Sequence, residues 1–403
     1  MKSHLIPLAG AFSLTLSLFA VLPRPAVVEV KGVERIPVTV ATEGKTPAQV
    51  AFNAALRRNL AISGYFTLTA TAPLQIKGTP GVNVTAFNVG KDHKNVSTRT
   101  PFADAKGGRM AARELVDAIV NVQTGAKGFA RERIVFAERK GKDNGELYTC
   151  YPDGYDIRQL TQDHHAVVGP RWAPNKEDIY YTGFLQKKPL VYRIAASTGR
   201  RELLASFKGL ATGAAIAPDG RRCAIILSFQ GNPELYVYDM GAKMINRMTR
   251  TARASEASPC WNKTGSKIVY VSDETRQPQI YLLDVATKKS TRLTSRGTQN
   301  TNPDWGPDGR IVYASKRGGQ TVLVVMDPLK GEASARVITA PGGWEHPSWA
   351  ADGRHVVAEN NGALYLVDTD PEVVASALKG CAADRPVPLF LNKGHWMNPA
   401  WCR

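Results

Sequence analysis

The chain has 403 residues, 43 % of them hydrophobic and 22 % charged, with a formal net charge of +17. This is the composition of an ordinary soluble globular protein, long enough for two domains, and not that of a low-complexity or membrane-embedded one. The excess of Lys and Arg is spread along the chain rather than gathered in one run, so it describes a basic surface suited to anionic material such as lipid headgroups, wall polymers or nucleic acid. No nucleic-acid-binding module is recognisable, so a nucleic acid is not expected as a partner. The five cysteines (150, 223, 260, 381 and 402) have no C-x-x-C or metal-ligand spacing. They read as small hydrophobes, with Cys223 and Cys260 in neighbouring repeats the pair to examine for a bridge.

In chain order, Met1-Lys-Ser-His precedes an apolar run over 5–22, which predicts a secretory signal peptide over 1–26. A membrane anchor is the rival reading, because 18 apolar residues is borderline for spanning. Residues 27–127 have the texture of an α/β layer: an extended apolar segment and a strand, a helix over 48–63, strands over 65–69 and 82–89, and a second helix over about 109–122. Thr46-Pro47 supplies a cap and first-turn proline for the first helix, whose expected buried face is Val50, Ala54, Leu56 and Leu60. The second helix places Ala112, Leu115, Val116, Ile119 and Val122 on one face and stops at Gly125.

From 128 onward the chain repeats itself. A Pro-x-Trp-x-Pro-Asp-Gly pattern recurs with its phase residue at Trp172, Ile216, Trp261, Trp305, Trp349 and Trp401, at steps of 44, 45, 44, 44 and 52 residues. That period belongs to four-stranded propeller blades. Within a repeat, Pro presets φ, Asp bonds its own backbone and Gly accepts positive φ, giving a tight turn between strands. After Trp401 little chain remains, whereas 133–138, 146–150 and 156–161 are three strands with no first strand before them. Joining the two halves predicts a sixth blade that closes the ring. The expected fold is therefore an α+β N-terminal domain (27–127) followed by an all-β, six-bladed β-propeller (128–403) closed by the C-terminal strand.

This architecture resembles the TolB family of exported propellers. The likeness is carried by Leu60-Ala-Ile-Ser-Gly-Tyr-Phe, by Asp117-Ala-Ile-Val-Asn-Val-Gln-Thr-Gly-Ala-Lys-Gly-Phe before the ring, and by Arg133-Ile-Val-Phe-Ala. Arg113 departs from the family pattern, which has His there, and 369–386 is an insertion in blade six with a short helix expected at 372–378. The resemblance implies a non-catalytic periplasmic scaffold of the Tol–Pal system, needed for outer-membrane integrity and constriction at cell division. It implies no cofactor, a monomer peripheral to the envelope membranes, a Pal-like peptidoglycan-associated lipoprotein docked at the propeller mouth, and a TolA-like inner-membrane protein bound by the segment after the signal. That segment is Val27, Val28, Glu29, Val30, Lys31, Gly32 and Val33, whose apolar β-rich character suits addition to a sheet edge.

The loops entering the innermost strands surround the channel, and from them His164, His165, Glu256, Asn300, Trp344, Glu345, His346, His395 and Trp396 are the expected partner-binding residues. The competing reading is a propeller lyase acting on saccharides with a metal held by His165, His346 and His395. Their register opposes it, since the first two differ in height by about 13 Å at roughly 3.3 Å per strand residue. Hydrolase readings lack a G-x-S-x-G elbow, and no phosphate-binding glycine loop is present.

Overall fold

In the computed structural model, which describes residues 34–89, 95–141, 143–185, 188–390 and 394–403, the chain builds an α/β layer and then a ring of six sheets. The layer holds strands β1 (Ile36–Thr42), β2 (Phe66–Leu68), β3 (Leu74–Thr79), β4 (Asn83–Asn88) and β5 (Val96–Thr98) in the order β2-β1-β3-β4-β5. Helices α1 (Pro47–Ile62) and α2 (Ala105–Thr124) pack against the sheet over Val38, Ile76, Phe52, Leu56, Leu115 and Ile119. Thr46 caps α1 and Gln49 returns the bond in a capping box, while α2 ends at Gly125, whose φ of 73° a residue without Cβ adopts freely. Two expectations are corrected here. The α1 face is rotated: Phe52, Ala55, Leu56, Asn59 and Leu60 are buried, whereas Val50 and Ala54 are exposed. On α2, Val122 is likewise exposed. The segment 27–33 lies outside the described residues.

Each of the six sheets has four strands. In blade one, Trp396–Trp401 pairs antiparallel with β6 (Ile134–Arg139), followed by β7 (Gly145–Cys150) and β8 (Arg158–Gln159). The pairs Trp401↔Ile134 and Trp396↔Glu138 fix the register, so the ends of the chain segment close the ring. The innermost strands of blades two to six are Val167–Trp172, Ala211–Ile216, Glu256–Trp261, Gln299–Trp305 and Trp344–Trp349.

No blade has a core of its own. Buried clusters lie between blades: Ile179 and Ile194 meet Val135 and Leu147, and Leu364 and Val357 meet Ile134 and Phe136. Each wedge is half a core until its neighbour arrives, and this makes a ring of repeats cooperative.

The repeat also has a backbone signature. All six innermost strands carry a register shift at mid-strand, with a left-handed residue just before the phase proline, or before Ala214 where the proline is lost. These residues are Gly169, Gly213, Ser258, Asn302, His346 and Asn398, with φ between 49° and 65°. Such bulges bend a strand and re-aim its side chains. The side chain after the proline then serves the next blade: Cys260 Sγ, Asp304 Oδ2 and Ser348 Oγ accept the backbone N–H of Trp305, Trp349 and Trp401 at 3.3, 2.7 and 3.0 Å.

The layer sits on the end of the ring where the innermost strands finish. Its anchor is Arg113 of α2, whose side chain is fully buried and makes two bonds to Asp153 (2.8 and 2.9 Å) and one to Asp156 (2.8 Å) over the Tyr151 ring, 3.8 Å away. Asn59 and Arg109 bond the same two aspartates. Replacing Arg113 by Met leaves buried carboxylates short of their cation, and is expected to cost about 3–5 kcal/mol in urea unfolding.

Candidate functional site

The ring encloses a channel with two unlike ends. At the mouth, four of the six loops that enter the innermost strands are tied down by one recurring device. A buried Thr ends the fourth strand, and Thr161, Thr249, Thr294 and Thr339 accept the backbone N–H of Leu147, Leu235, Ile280 and Leu323 at 2.9–3.0 Å. In three blades a buried acid or amide near the start of the third strand holds the loop as well. Glu146 accepts from Thr161 and from the N–H groups of Asp163 and His164; Glu234 accepts from Thr251; Gln279 accepts from Thr294 and Asn300. The sequence carries a signal for this in the apolar-Thr pair that closes each of these repeats, Leu160-Thr161, Met248-Thr249, Leu293-Thr294 and Ile338-Thr339.

The expected mouth residues divide into two groups. His164, His165, Glu345 and His395 are exposed, and His346 and Trp396 are partly so. Trp396 packs its ring on Phe136 and Phe390, both with centroids 5.3 Å away. Glu256, Asn300 and Trp344 are buried, at 2, 0 and 5 % exposure, and shape loops rather than facing outward. Trp344 packs on Tyr365 and donates its indole N–H to Ala340 O at 2.9 Å, and Asn300 bonds Gln279 and Arg296 O. Glu256 lies against Ser272 Oγ at 3.0 Å; burial, and then the Glu234 carboxylate, push its pKa up to about 8.

The three histidines weighed as a metal site are not the set that converges. His346 Nδ1 instead lies 3.3 Å from Glu359 Oε2 and 3.9 Å from Glu345 Oε2, a group of one imidazole and two carboxylates within 4.8 Å. Beside it a polar cavity of about 400 Å³ is lined by residues including Gln299, Lys316, Gln320 and Glu345.

At the other end the channel holds a cavity of about 340 Å³ walled by Trp and Pro. Asp304 crosses it: Arg403 donates to its two oxygens at 2.9 and 3.0 Å, and Arg171, from blade two on the opposite side of the ring, stands 3.6 Å away. Burial pushes the Asp304 carboxyl up, but Arg403 and Arg171 outweigh it and hold it below the usual carboxylate range. All five cysteines are free thiols, so Cys223 and Cys260 form no bridge.

Fold and channel together define a six-bladed propeller carried on a small α/β layer. The chain belongs to the family described as the TolB beta propeller domain, which matches residues 120–401. Among curated proteins it is similar to the Tol-Pal system protein TolB of Helicobacter pylori J99, 25 % identical over 221 residues (53 % of this chain, 51 % of the relative), and of strain 26695, 25 % identical over 206 residues (50 % and 49 %). The chain spans about half the length of the curated relatives it matches. Among solved structures it resembles TolB from Acinetobacter baumannii, with a TM-score of 0.75 at 22 % identity over 92 % of this chain and 97 % of that one. It also resembles a chain of a nidogen/laminin complex, with a TM-score of 0.53 at 10 % identity over 68 % and 98 %. At these identities the structural likeness is one of fold.

The elevated Glu256 yields a pH prediction. Between about pH 4.5 and 8 the folded chain holds a proton that the unfolded chain releases, so this residue's contribution to stability falls as pH rises through that window. Glu256→Gln keeps the bond to Ser272 without the charge. It should melt near the parent protein at pH 5 and higher than it at pH 8, by a few degrees in a calorimetric scan.

Proposed function

We propose that the chain is a non-catalytic scaffold of a Tol–Pal envelope system in the periplasm, holding a Pal-like, peptidoglycan-associated lipoprotein at the propeller mouth. The segment 27–33 would engage a TolA-like inner-membrane protein. The observation that carries this reading is the family match over 120–401, reinforced by a fold likeness to a TolB structure that extends through the α/β layer. The mouth supports it physically. Four of its six loops are clamped from beneath by a buried Thr, so the exposed His164, His165 and Glu345 are presented on pre-organised loops, which lowers the ordering cost of docking a protein. No helix among the described residues is long and apolar enough to cross a membrane.

Co-purification from envelope extracts tests the reading. The full chain should recover a peptidoglycan-binding lipoprotein, and Glu345→Lys combined with His346→Ala should weaken that capture about tenfold while leaving the melting temperature nearly unchanged. Deleting 27–33 should abolish capture of the inner-membrane partner and leave the lipoprotein bound. Recovery of no envelope protein, or capture that ignores the mouth substitutions, would contradict the proposal.

A further inference from the structure

Among the side chains that line the Trp-walled end of the channel, four are cationic and one is a carboxylate. Lys127, Arg171, Lys263 and Arg403 line the cavity against Asp304 alone. Lys127 is also 3.6 Å from Glu132, and Lys263 is exposed and forms no ion pair with a described residue. Asp304 itself is saturated. Besides the two bonds from Arg403, it accepts the Trp349 N–H at 2.7 Å and faces the Cys260 thiol at 3.4 Å. Arg171 is the group left over. At 3.6 Å from Asp304 Oδ1 it is beyond hydrogen-bond reach, it donates no side-chain hydrogen bond to a described residue, and yet its side chain is only 25 % exposed.

The repeat itself does not call for an arginine at this place, where its one ion-pair partner among the described residues is Asp304 of the opposite blade. The residue following the phase proline, or following Ala214, is Ala215, Cys260, Asp304, Ser348 or Ala400 in the other five blades, small or able to accept a hydrogen bond from the next blade. Arg171 can do neither job. A guanidinium is a planar fork of donors matched to two oxygens of a carboxylate or phosphate, and the Arg171 fork keeps only the 3.6 Å ion pair to Asp304, with no hydrogen bond to a described residue. Here the fork lies among apolar aromatic walls that would strengthen a charge-assisted bond by excluding solvent.

We propose that this end of the channel is a binding site for a small oxyanion, a carboxylate or phosphate group, taken by Arg171 within the cavity of about 340 Å³. Asp304 and Arg403 form the fixed far side, their charges mutually cancelled. Trp172, Trp305 and Trp401 wall the same cavity, so occupancy has a built-in optical reporter. The site lies at the opposite end of the channel from the mouth and does not depend on the docking proposed there.

The test is a tryptophan-fluorescence titration of the full chain with sodium phosphate and, separately, with glutarate, at constant ionic strength set by chloride. The parent protein should give a saturable change with at least one of them. Saturation by phosphate alone assigns a phosphate site, and by glutarate alone a carboxylate site such as an acidic side chain or a free organic acid would fill. Arg171→Gln should weaken the response about tenfold or more; it breaks no hydrogen bond but loses the 3.6 Å ion pair to Asp304, so it should stay folded, held by the Arg403 bonds, and melt a few degrees below the parent. Arg171→Lys, which keeps the charge but loses the fork, should fall between them and serves as well if the Gln variant folds poorly. A change that never saturates for either anion, or one that both variants reproduce in full, overturns the inference.

Discussion

The structure depends on one strand pairing. Trp396–Trp401 lies against Ile134–Arg139, and main-chain bonds bracket the pair at both ends, Arg139 N–H to His395 O and Cys402 N–H to Arg133 O, each at 2.8 Å. Bringing together two segments separated by the whole propeller costs roughly 5 kcal/mol of loop entropy. That cost is met because closure completes two wedges at once. Trp401 and Ile134 join the cluster shared with blade six, while Ala400 and Val135 join the one shared with blade two. An open ring would expose both faces and leave two unpaired strand edges.

The channel follows from the same geometry. The left-handed residue before each phase proline bends the innermost strand and turns the next side chain toward the neighbouring blade, so position rather than residue type decides what the channel contains. Most blades place a small or accepting group there. Blade two places Arg171 and blade five places Asp304, and because these blades face each other the two charges meet across the opening. At the mouth, buried Thr clamps fix four of the six loops from below and leave their exposed tips unconstrained. A rigid ring with variable tips can therefore change partners without changing fold.

Much of this was legible in the sequence, for definite reasons. The phase tryptophans and Pro-Asp-Gly turns gave the blade number, and the orphaned first strand at 396–401 gave the closure, because both rest on spacing. Strand β3 was missed because Gln75, Lys77 and Gly78 interrupt its apolar character, and the α1 face was misplaced because Asn59, buried against Asp153, belongs to it. At the mouth, the repeat locates the loops in the sequence but carries no information on side-chain direction. Glu256, Asn300 and Trp344 turn inward under local register and clamping bonds that no periodicity reveals. The convergence of Arg171, Asp304 and Arg403 depends on which blades lie opposite, and only closed-ring coordinates supply that.

The central claim, that the ring is a single cooperative body zipped by its last strand, is tested most directly by native-state hydrogen exchange. Amides of Trp396–Trp401 and of Ile134–Arg139 should exchange together, at the slow rate of global unfolding. Exchange of the 396–401 amides orders of magnitude ahead of those in β6 would show that the strand peels away while the propeller persists, and would contradict the account.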